Sequence, residues 1–182
     1  MFKLIEAVRK GDIENVKLLL EKGADPNDAL AEASERGHIE IVKLLLEKGA
    51  DPYNYKYLNK TPLVKASKTG HIEIVKLMIE ENVVIEKNNN SMIRSFIFSL
   101  DEASERGHIE IVKLLLEKGT DPNIGEPLVN ASERGHIEIV KLLLERGADI
   151  NKANRNGNTP LTEASGRGRI EIVKLLLEKG AD

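Results

Sequence analysis

One recurring pattern, a glycine followed by a mostly apolar segment, constrains what this chain can fold into. A full copy reads GHIEIVKLLLEKGADP and begins at Gly37. Six copies can be aligned in the sequence, and they begin at Gly11, Gly37, Gly70, Gly107, Gly135 and Gly168. A leucine lies seven residues before each of these glycines, and an alanine lies four residues before it. Self-similarity of this kind is typical of repeat architectures, in which each unit packs against its neighbours.

Each copy is predicted to form two helices. The first carries the L-x-x-A pattern and is expected to be short, the glycine allows the left-handed turn that ends it, and a longer helix follows. In the copy at Gly37 the polar residues Glu40, Lys43 and Glu47 follow helical spacing, so they form one narrow polar stripe. The rest of that helix is apolar and must be covered on several sides, which stacking of identical neighbours provides.

These residues resemble the ankyrin repeat, and the resemblance extends over essentially the whole chain. Two copies, at 60–84 and 147–182, carry its fuller pattern, in which T-P-L opens the first helix at Thr61–Leu63 and Thr159–Leu161. Threonine caps a helix and proline fits its first turn. The resemblance implies an all-α ankyrin-repeat solenoid of stacked helix-turn-helix units with short β-hairpin or loop connections. It also implies non-catalytic protein binding.

We expect one continuous array over residues 1–182. The predicted repeats cover approximately 1–27, 28–53, 54–86, 87–123, 124–151 and 152–182. Successive repeat glycines are 26, 33, 37, 28 and 33 residues apart, against a family period of 33. The shortened connections into the second and fifth copies are predicted to be tight turns, with Asp28 as the N-cap in the former and Glu126–Pro127 opening the helix in the latter.

The expanded connection into the fourth copy allows two interpretations. It could form a hairpin, in which Phe96 and Phe98 would point the same way. It could also form an extended helix capped by Ser91, because apolar residues then follow helical spacing at Met92, Ile93, Phe96, Ile97 and Leu100. We favour the extended helix.

All three tyrosines of the chain lie in one short polar stretch, YNYKY, at 53–57. In an extended arm Tyr53, Tyr55 and Tyr57 would face one way, and a row of tyrosines is a plausible binding hot spot. The alternative is that they cover the ends of neighbouring helices. The hypothetical partner-binding set is Tyr53, Tyr55, Lys56, Tyr57, Met92, Arg94, Phe96 and Phe98, although the apolar members from the fourth copy are more typical of core.

The composition and the remaining motifs favour no catalytic or metal chemistry. The chain has a net charge of −3 and no cysteine, so neither nucleic acid nor a thiolate site is favoured. The four histidines, His38, His71, His108 and His136, each follow a repeat glycine, which indicates a structural role rather than one metal site. Ser34, Ser67, Ser104 and Ser132 precede them by four residues, and we interpret these serines as hydrogen bonding at the helix C-terminus around the glycine turn rather than as nucleophiles.

The sequence therefore predicts a protein-binding module that is not an enzyme. It is expected to have no cofactor, no small-molecule substrate and no membrane contact, to be cytoplasmic and most often monomeric, and to hold an unidentified protein partner through the mid-array connections and the inner helix faces. The alternatives are a structural solenoid that assembles end to end through the last repeat, at Leu175, Leu176 and Leu177, and an engineered scaffold. The arginines Arg155, Arg167 and Arg169 are interpreted as a solvated face.

Overall fold

The structure is a computed structural model that describes residues 2–54, 60–79 and 89–182. The described residues form twelve helices and no strand. In chain order these are α1 (Phe2–Lys10), α2 (Ile13–Glu21), α3 (Asn27–Arg36), α4 (Ile39–Glu47), α5 (Pro62–Thr69), α6 (Ile72–Met78), α7 (Asn90–Arg106), α8 (Ile109–Glu117), α9 (Pro127–Arg134), α10 (Ile137–Glu145), α11 (Pro160–Gly166) and α12 (Ile170–Glu178). The predicted all-α fold of paired helices is confirmed.

The glycine between the two helices of a pair serves two purposes. Gly107 has φ +81°, a left-handed conformation that L side chains rarely adopt. A Cβ atom on Gly107 would also lie 2.7 Å from Cε1 of His136, which belongs to the next repeat. The same arrangement recurs at Gly37, where a Cβ would meet His71 at 2.6 Å. The sequence predicts the turn, and the structure adds the close approach between repeats.

The L-x-x-A positions form the core between neighbouring pairs. Leu30, Leu63 and Leu100 have no exposed area, and the alanines three residues later are equally buried. The second helices add buried valines, of which Val42 and Val140 are fully covered. The small alanine lets helices approach closely, so the pattern that identifies the repeat also builds its interior.

The chain divides into two compact units, residues 1–96 and 97–182. Helices α1 to α6 belong to the first unit and α8 to α12 to the second. The dividing position lies within α7, which begins in the first unit and ends in the second. The expectation of one array over residues 1–182, with six repeats at the bounds given above, stays a prediction.

The caps differ from the predictions at two helix starts. Asp28 does not cap α3, because that helix begins at Asn27 and Pro26 occupies the N-cap position. Ser91 does not cap α7, because the side chain of Asn89 accepts the hydrogen bond from the Met92 amide at 3.1 Å. In both cases the helix starts one or two residues earlier than expected. The predicted caps Thr61 and Thr159 do accept bonds from Val64 and Thr162.

The expanded connection into the fourth copy is helical over its described part, as favoured. Helix α7 has 17 residues, about twice the length of the other first helices. The first and second helices of the other pairs are nearly equal in length, so the expectation of a short helix followed by a longer one is wrong: α3 has 10 residues and α4 has 9. Among the described helices, none is long and apolar enough to cross a membrane.

Candidate partner-binding surfaces

A groove in the first unit, called the first groove below, lies along the first helices α3 and α5. Its volume is about 350 Å³. It is lined by Asp25, Asn27, Asp28, Ala31, Glu32, Glu35, Asn54, Lys60, Pro62 and Lys65. Four of these residues are acidic and two are basic, so the surface carries an excess of negative charge.

Ion pairs with neighbouring repeats hold the acidic walls of the first groove in place. Glu32 accepts hydrogen bonds from Arg9 at 2.9 Å and from Arg36 at 2.7 Å. The hydrogen bond from Arg9 lowers the pKa of Glu32 below its usual value. Glu35 accepts a bond from Lys65 of the following repeat at 2.8 Å. These pairs fix the direction of the carboxylates more than they stabilise the fold, because exposed pairs contribute little.

Of the predicted tyrosine row, the structure describes Tyr53. Its hydroxyl donates to the carbonyl of Met78 at 3.0 Å, and its ring centroid lies 6.0 Å from that of Phe96. The half-buried ring covers the ends of neighbouring helices, which is the alternative interpretation given above. Tyr55, Lys56 and Tyr57 lie outside the described residues. The residues on either side of that segment, Asn54 and Lys60, both line the first groove.

The four candidates on α7 differ in exposure. Met92 is 4% exposed and Phe96 is fully buried, so both are core residues and offer no side-chain area to a partner. Arg94 is exposed, and it makes no hydrogen bond or ion pair with the described residues. Phe98 is half-buried and lines a groove in the second unit.

That second groove has a volume of about 480 Å³. Its lining residues are Phe98, Asp101, Gly125, Glu126, Lys152, Ala153, Asn154 and Arg155. Oδ1 of Asp101 accepts a hydrogen bond from the amide of Glu126 at 2.8 Å. Glu126 is the N-cap residue of α9, and its own side chain makes no capping bond. Asp101 therefore accepts a hydrogen bond from a backbone amide at the start of α9, a helix that lacks the capping threonine of the T-P-L pattern.

Burial raises the pKa of Asp101 to about 7, and the negative charges of Glu126 and Glu102 act in the same direction. The hydrogen bond from the Glu126 amide and the charge of Lys152 oppose this shift. Asp101 is not among the residues that the sequence predicts to be functional. A signal was available, because the same register position carries Ala31, Val64 and Val129 in other copies, and a carboxylate there is exceptional.

The sequence model for ankyrin repeats, which spans three copies, matches residues 4–94 and 100–182. The chain belongs to the ankyrin repeat family. A search of curated proteins finds no match. Ankyrin repeats are generally protein-interaction modules, and the family is typically non-catalytic.

The ankyrin histidines join neighbouring repeats. Nε2 of His71 lies 3.3 Å from the carbonyl oxygen of Glu35, and Nε2 of His136 lies 3.0 Å from that of Glu105. In the last copy Arg169 takes this position, and its Nε donates to the carbonyl of Glu133 at 3.0 Å. His71 and His136 thus have the structural role that their repetition indicates. Among the described residues, no group of three potential ligands is placed to hold a metal ion.

Two of the four serines that precede the histidines, Ser34 and Ser132, bond within their own helices, whereas the buried hydroxyls of Ser67 and Ser104 have no hydrogen-bond partner among the described residues. The hydroxyl of Ser34 donates to the carbonyl of Leu30 at 2.6 Å, and that of Ser132 donates to Leu128 at 2.7 Å. These bonds point back along the helix rather than around the glycine turn, which corrects the expected geometry.

The arginines of the last ankyrin copy are exposed, as expected for a solvated face, and they also contact the preceding repeat. Arg167 pairs with Glu133 at 2.5 Å, and Arg155 pairs with Glu126 at 3.8 Å. Arg155 nevertheless stays 92% exposed.

The apolar residues of α12 are unevenly exposed. Leu177 is 54% exposed and Ile170 is 64% exposed, whereas Leu176 is fully buried. The corresponding residues of α8, Leu116 and Ile109, are 8% and 36% exposed. A surface on the last repeat would therefore use Ile170 and Leu177, and Leu176 belongs to the core.

Proposed function

We propose that this ankyrin repeat protein binds a protein partner, without catalysis, through the first groove and the tyrosine-bearing connection beside it. One observation carries the proposal. Asn54 and Lys60, which directly precede and follow residues 55–59, both line the groove between α3 and α5. The chain between them carries Tyr55, Lys56 and Tyr57. We assign these three residues to contact with a partner segment that lies in the groove.

The chemistry of the groove suits a polypeptide better than a small molecule. The walls are charged and the floor is formed by short side chains such as Ala31 and Pro62, so an extended segment could lie between them. Small-molecule sites are mostly apolar and enclosed, whereas protein partners are held by aromatic anchors inside a polar rim. Tyrosine supplies a large contact area with few torsions to fix.

The roles within the tyrosine stretch are divided in this proposal. Tyr53 serves the scaffold, because its hydroxyl bonds the Met78 carbonyl and its ring lies against Phe96. Tyr55 and Tyr57 carry recognition. Replacing all three tyrosines would therefore confuse binding with folding, and a test must leave Tyr53 in place.

The test is affinity capture from a lysate of the source organism, with captured proteins identified by mass spectrometry. Ala31→Arg would place a long side chain in the groove while keeping a good helix former on α3. Thr162→Arg makes the same addition at the matching register position of α11, where the side chain is exposed. We expect Ala31→Arg and the pair Tyr55→Ser with Tyr57→Ser to lose a protein that wild type and Thr162→Arg retain. Equal retention by all four would reject the groove as the binding site.

A second function, end-to-end self-association, is supported by the exposure of Ile170 and Leu177 on α12. Light scattering over a range of concentrations would test it. Association through this face should weaken in Leu177→Lys and persist in Leu18→Lys, which changes a leucine that is 46% exposed on α2. A mass that stays at one chain at all concentrations would reject self-association.

A further inference from the structure

The second groove contains a carboxylate without a cationic partner. Oδ1 of Asp101 accepts the Glu126 amide, and Oδ2 accepts no hydrogen bond from the described residues. No nitrogen of a described lysine, arginine or histidine lies within 4.0 Å of this carboxylate. A poorly hydrated carboxylate in this situation gains from any cation that can reach it.

The other charges of the second groove are already engaged. Glu126 accepts a hydrogen bond from the Arg155 amide at 3.0 Å and pairs with the Arg155 side chain. The ammonium group of Lys152 donates to the carbonyls of Asn123 and Gly125. Asp101 is the acidic lining residue of this groove that makes no ion pair with the described residues, and the charge of Lys152 acts on it only from beyond ion-pair distance.

An aromatic ring stands beside this carboxylate. Phe98 lies three residues before Asp101 on α7, so the two side chains share a face of the helix, and both line the groove. An aromatic face attracts a cation, and the alkyl stem of a long cationic side chain packs on an apolar ring. Carboxylate and ring together form a site suited to one long, positively charged side chain.

We propose that the second groove takes a lysine or arginine side chain of a protein partner, which pairs with Asp101 and packs on Phe98. This inference rests on protein binding as the function. It does not depend on the first groove, since the residues that carry it all belong to the second unit. Capping of α9 by Asp101 is compatible with it, because the cap uses Oδ1 and leaves Oδ2 for the ligand.

The proposal has a pH dependence with a definite sign. The ion pair needs Asp101 deprotonated, and its pKa is raised to about 7. Binding therefore tightens as pH rises towards that value and levels off above it. The groups that face Asp101 are Glu126 on α9, Lys152 after α10 and Glu102 on its own helix.

The test uses the intact protein and two probes of nearly equal shape. N-acetyl-arginine amide carries the guanidinium group, and N-acetyl-citrulline amide replaces it with a neutral urea. Each would be titrated into labelled protein while the Glu126 amide and the Phe98 ring are followed by NMR. Wild type, Asp101→Asn and Phe98→Leu would be compared, with circular dichroism to establish folding.

We expect saturable shifts with the arginine probe at about pH 7.5 and none with the citrulline probe. Asp101→Asn should abolish these shifts and Phe98→Leu should weaken them, and between about pH 7.5 and about pH 5.5 the wild-type Kd should rise roughly 25-fold. Equal shifts from both probes, or no saturable shift up to the solubility limit, would overturn the proposal on wild type alone. If the second groove failed this test but Ala31→Arg still lost the protein partner, the first groove would remain the binding site. Failure of the second-groove proposal can thus be distinguished from failure of the proposed function.

Discussion

The two units connect successive repeats in different ways. In the second unit, Asn123 Oδ1 accepts the Asp149 amide at 2.7 Å, and Asn151 Oδ1 accepts the Asp182 amide at 3.0 Å. Among the described residues of the first unit, one such bond occurs, from the Asp51 amide to Asn27 at 2.9 Å. The next position in register is Tyr53, whose side chain reaches the Met78 carbonyl instead.

The third copy departs in sequence from the pattern that accompanies these bonds. At the positions that match Gly49 and Asp51, its sequence carries Asn82 and Val84. Repeats with the G-x-D-x-N pattern are joined by hydrogen bonds from a backbone amide to the asparagine side chain. In the irregular region, the aromatic side chains of Tyr53 and Phe96 pack together. The irregular connection is also the one that carries the proposed binding residues.

The largest loss of stability is expected when the aromatic core of the irregular region is removed. Phe96→Ala should lower the free energy of unfolding by about 3–5 kcal/mol, because it leaves a cavity at a fully buried site and removes the contact with Tyr53. Chemical denaturation would measure this. The matched control is Phe98→Ala on the same helix. If the half-buried Phe98 cost as much as Phe96, the division between core and surface on α7 would be wrong.

A smaller effect is expected where repeats approach closely. Gly107→Ala should cost about 2–3 kcal/mol, since it forces a left-handed alanine and places its Cβ against His136. Gly119 has φ +90°, and a Cβ atom added to it would have no neighbouring atom within 4 Å. Gly119→Ala should therefore lower the stability only through backbone strain, by about 1 kcal/mol. Thermal unfolding of both variants would distinguish the cost of backbone strain from the cost of the close contact with His136. Equal losses of stability would show that the contact with His136 does not contribute.

Asp101 should make the stability of the second unit depend on pH. One corresponding position in the first unit is the buried Val64, whereas Asp101 has a pKa raised from 3.8 to about 7. The folded state holds its proton more tightly than the unfolded state, so stability should fall as pH rises from about 4 to about 7, by on the order of 1 kcal/mol per pH unit. Above that window this contribution should be flat. In Asp101→Asn the fall should be smaller, and an unchanged slope in denaturation curves would contradict the assignment.

The connecting bonds should show the smallest effects. Asn123→Ala removes the bonds to the Asp149 amide and the Gly147 carbonyl, and it should cost about 1 kcal/mol. Tyr53→Phe keeps the ring and loses only the bond to Met78, so its cost should be equal or less. Amide hydrogen exchange at Asp149 would show faster opening in Asn123→Ala. No change at that amide would mean that the bond does not hold the repeats together.

The sequence predicts features that depend on a residue and its near neighbours along the chain. The helix pairs, the left-handed glycines and the threonine caps at Thr61 and Thr159 belong to this class, because each follows from local backbone geometry. The extended helix α7 was also favoured correctly from its apolar spacing. The cap at Asn89 was missed because asparagine and serine are similarly good caps and both occur there.

Features that depend on contact between repeats were harder to predict. Asp101 bonds an amide 25 residues later, and Tyr53 reaches a carbonyl in the next copy. Neither partner is evident until the register of neighbouring repeats is known in three dimensions. The grooves have the same origin, since their walls come from separate copies. For Tyr55, Lys56 and Tyr57 the proposed role stays a prediction.

The most direct test of the central claim is hydrogen–deuterium exchange on the protein with and without its captured partner. The account predicts slower exchange in the segments that carry the first groove and its connection, 24–35 and 52–66. It predicts no change in the second helices α8 and α10, which carry the scaffold of the second unit. Slower exchange confined to α8 and α10, with 24–35 and 52–66 unchanged, would contradict the claim that the irregular connection and its groove are where this protein binds its partner.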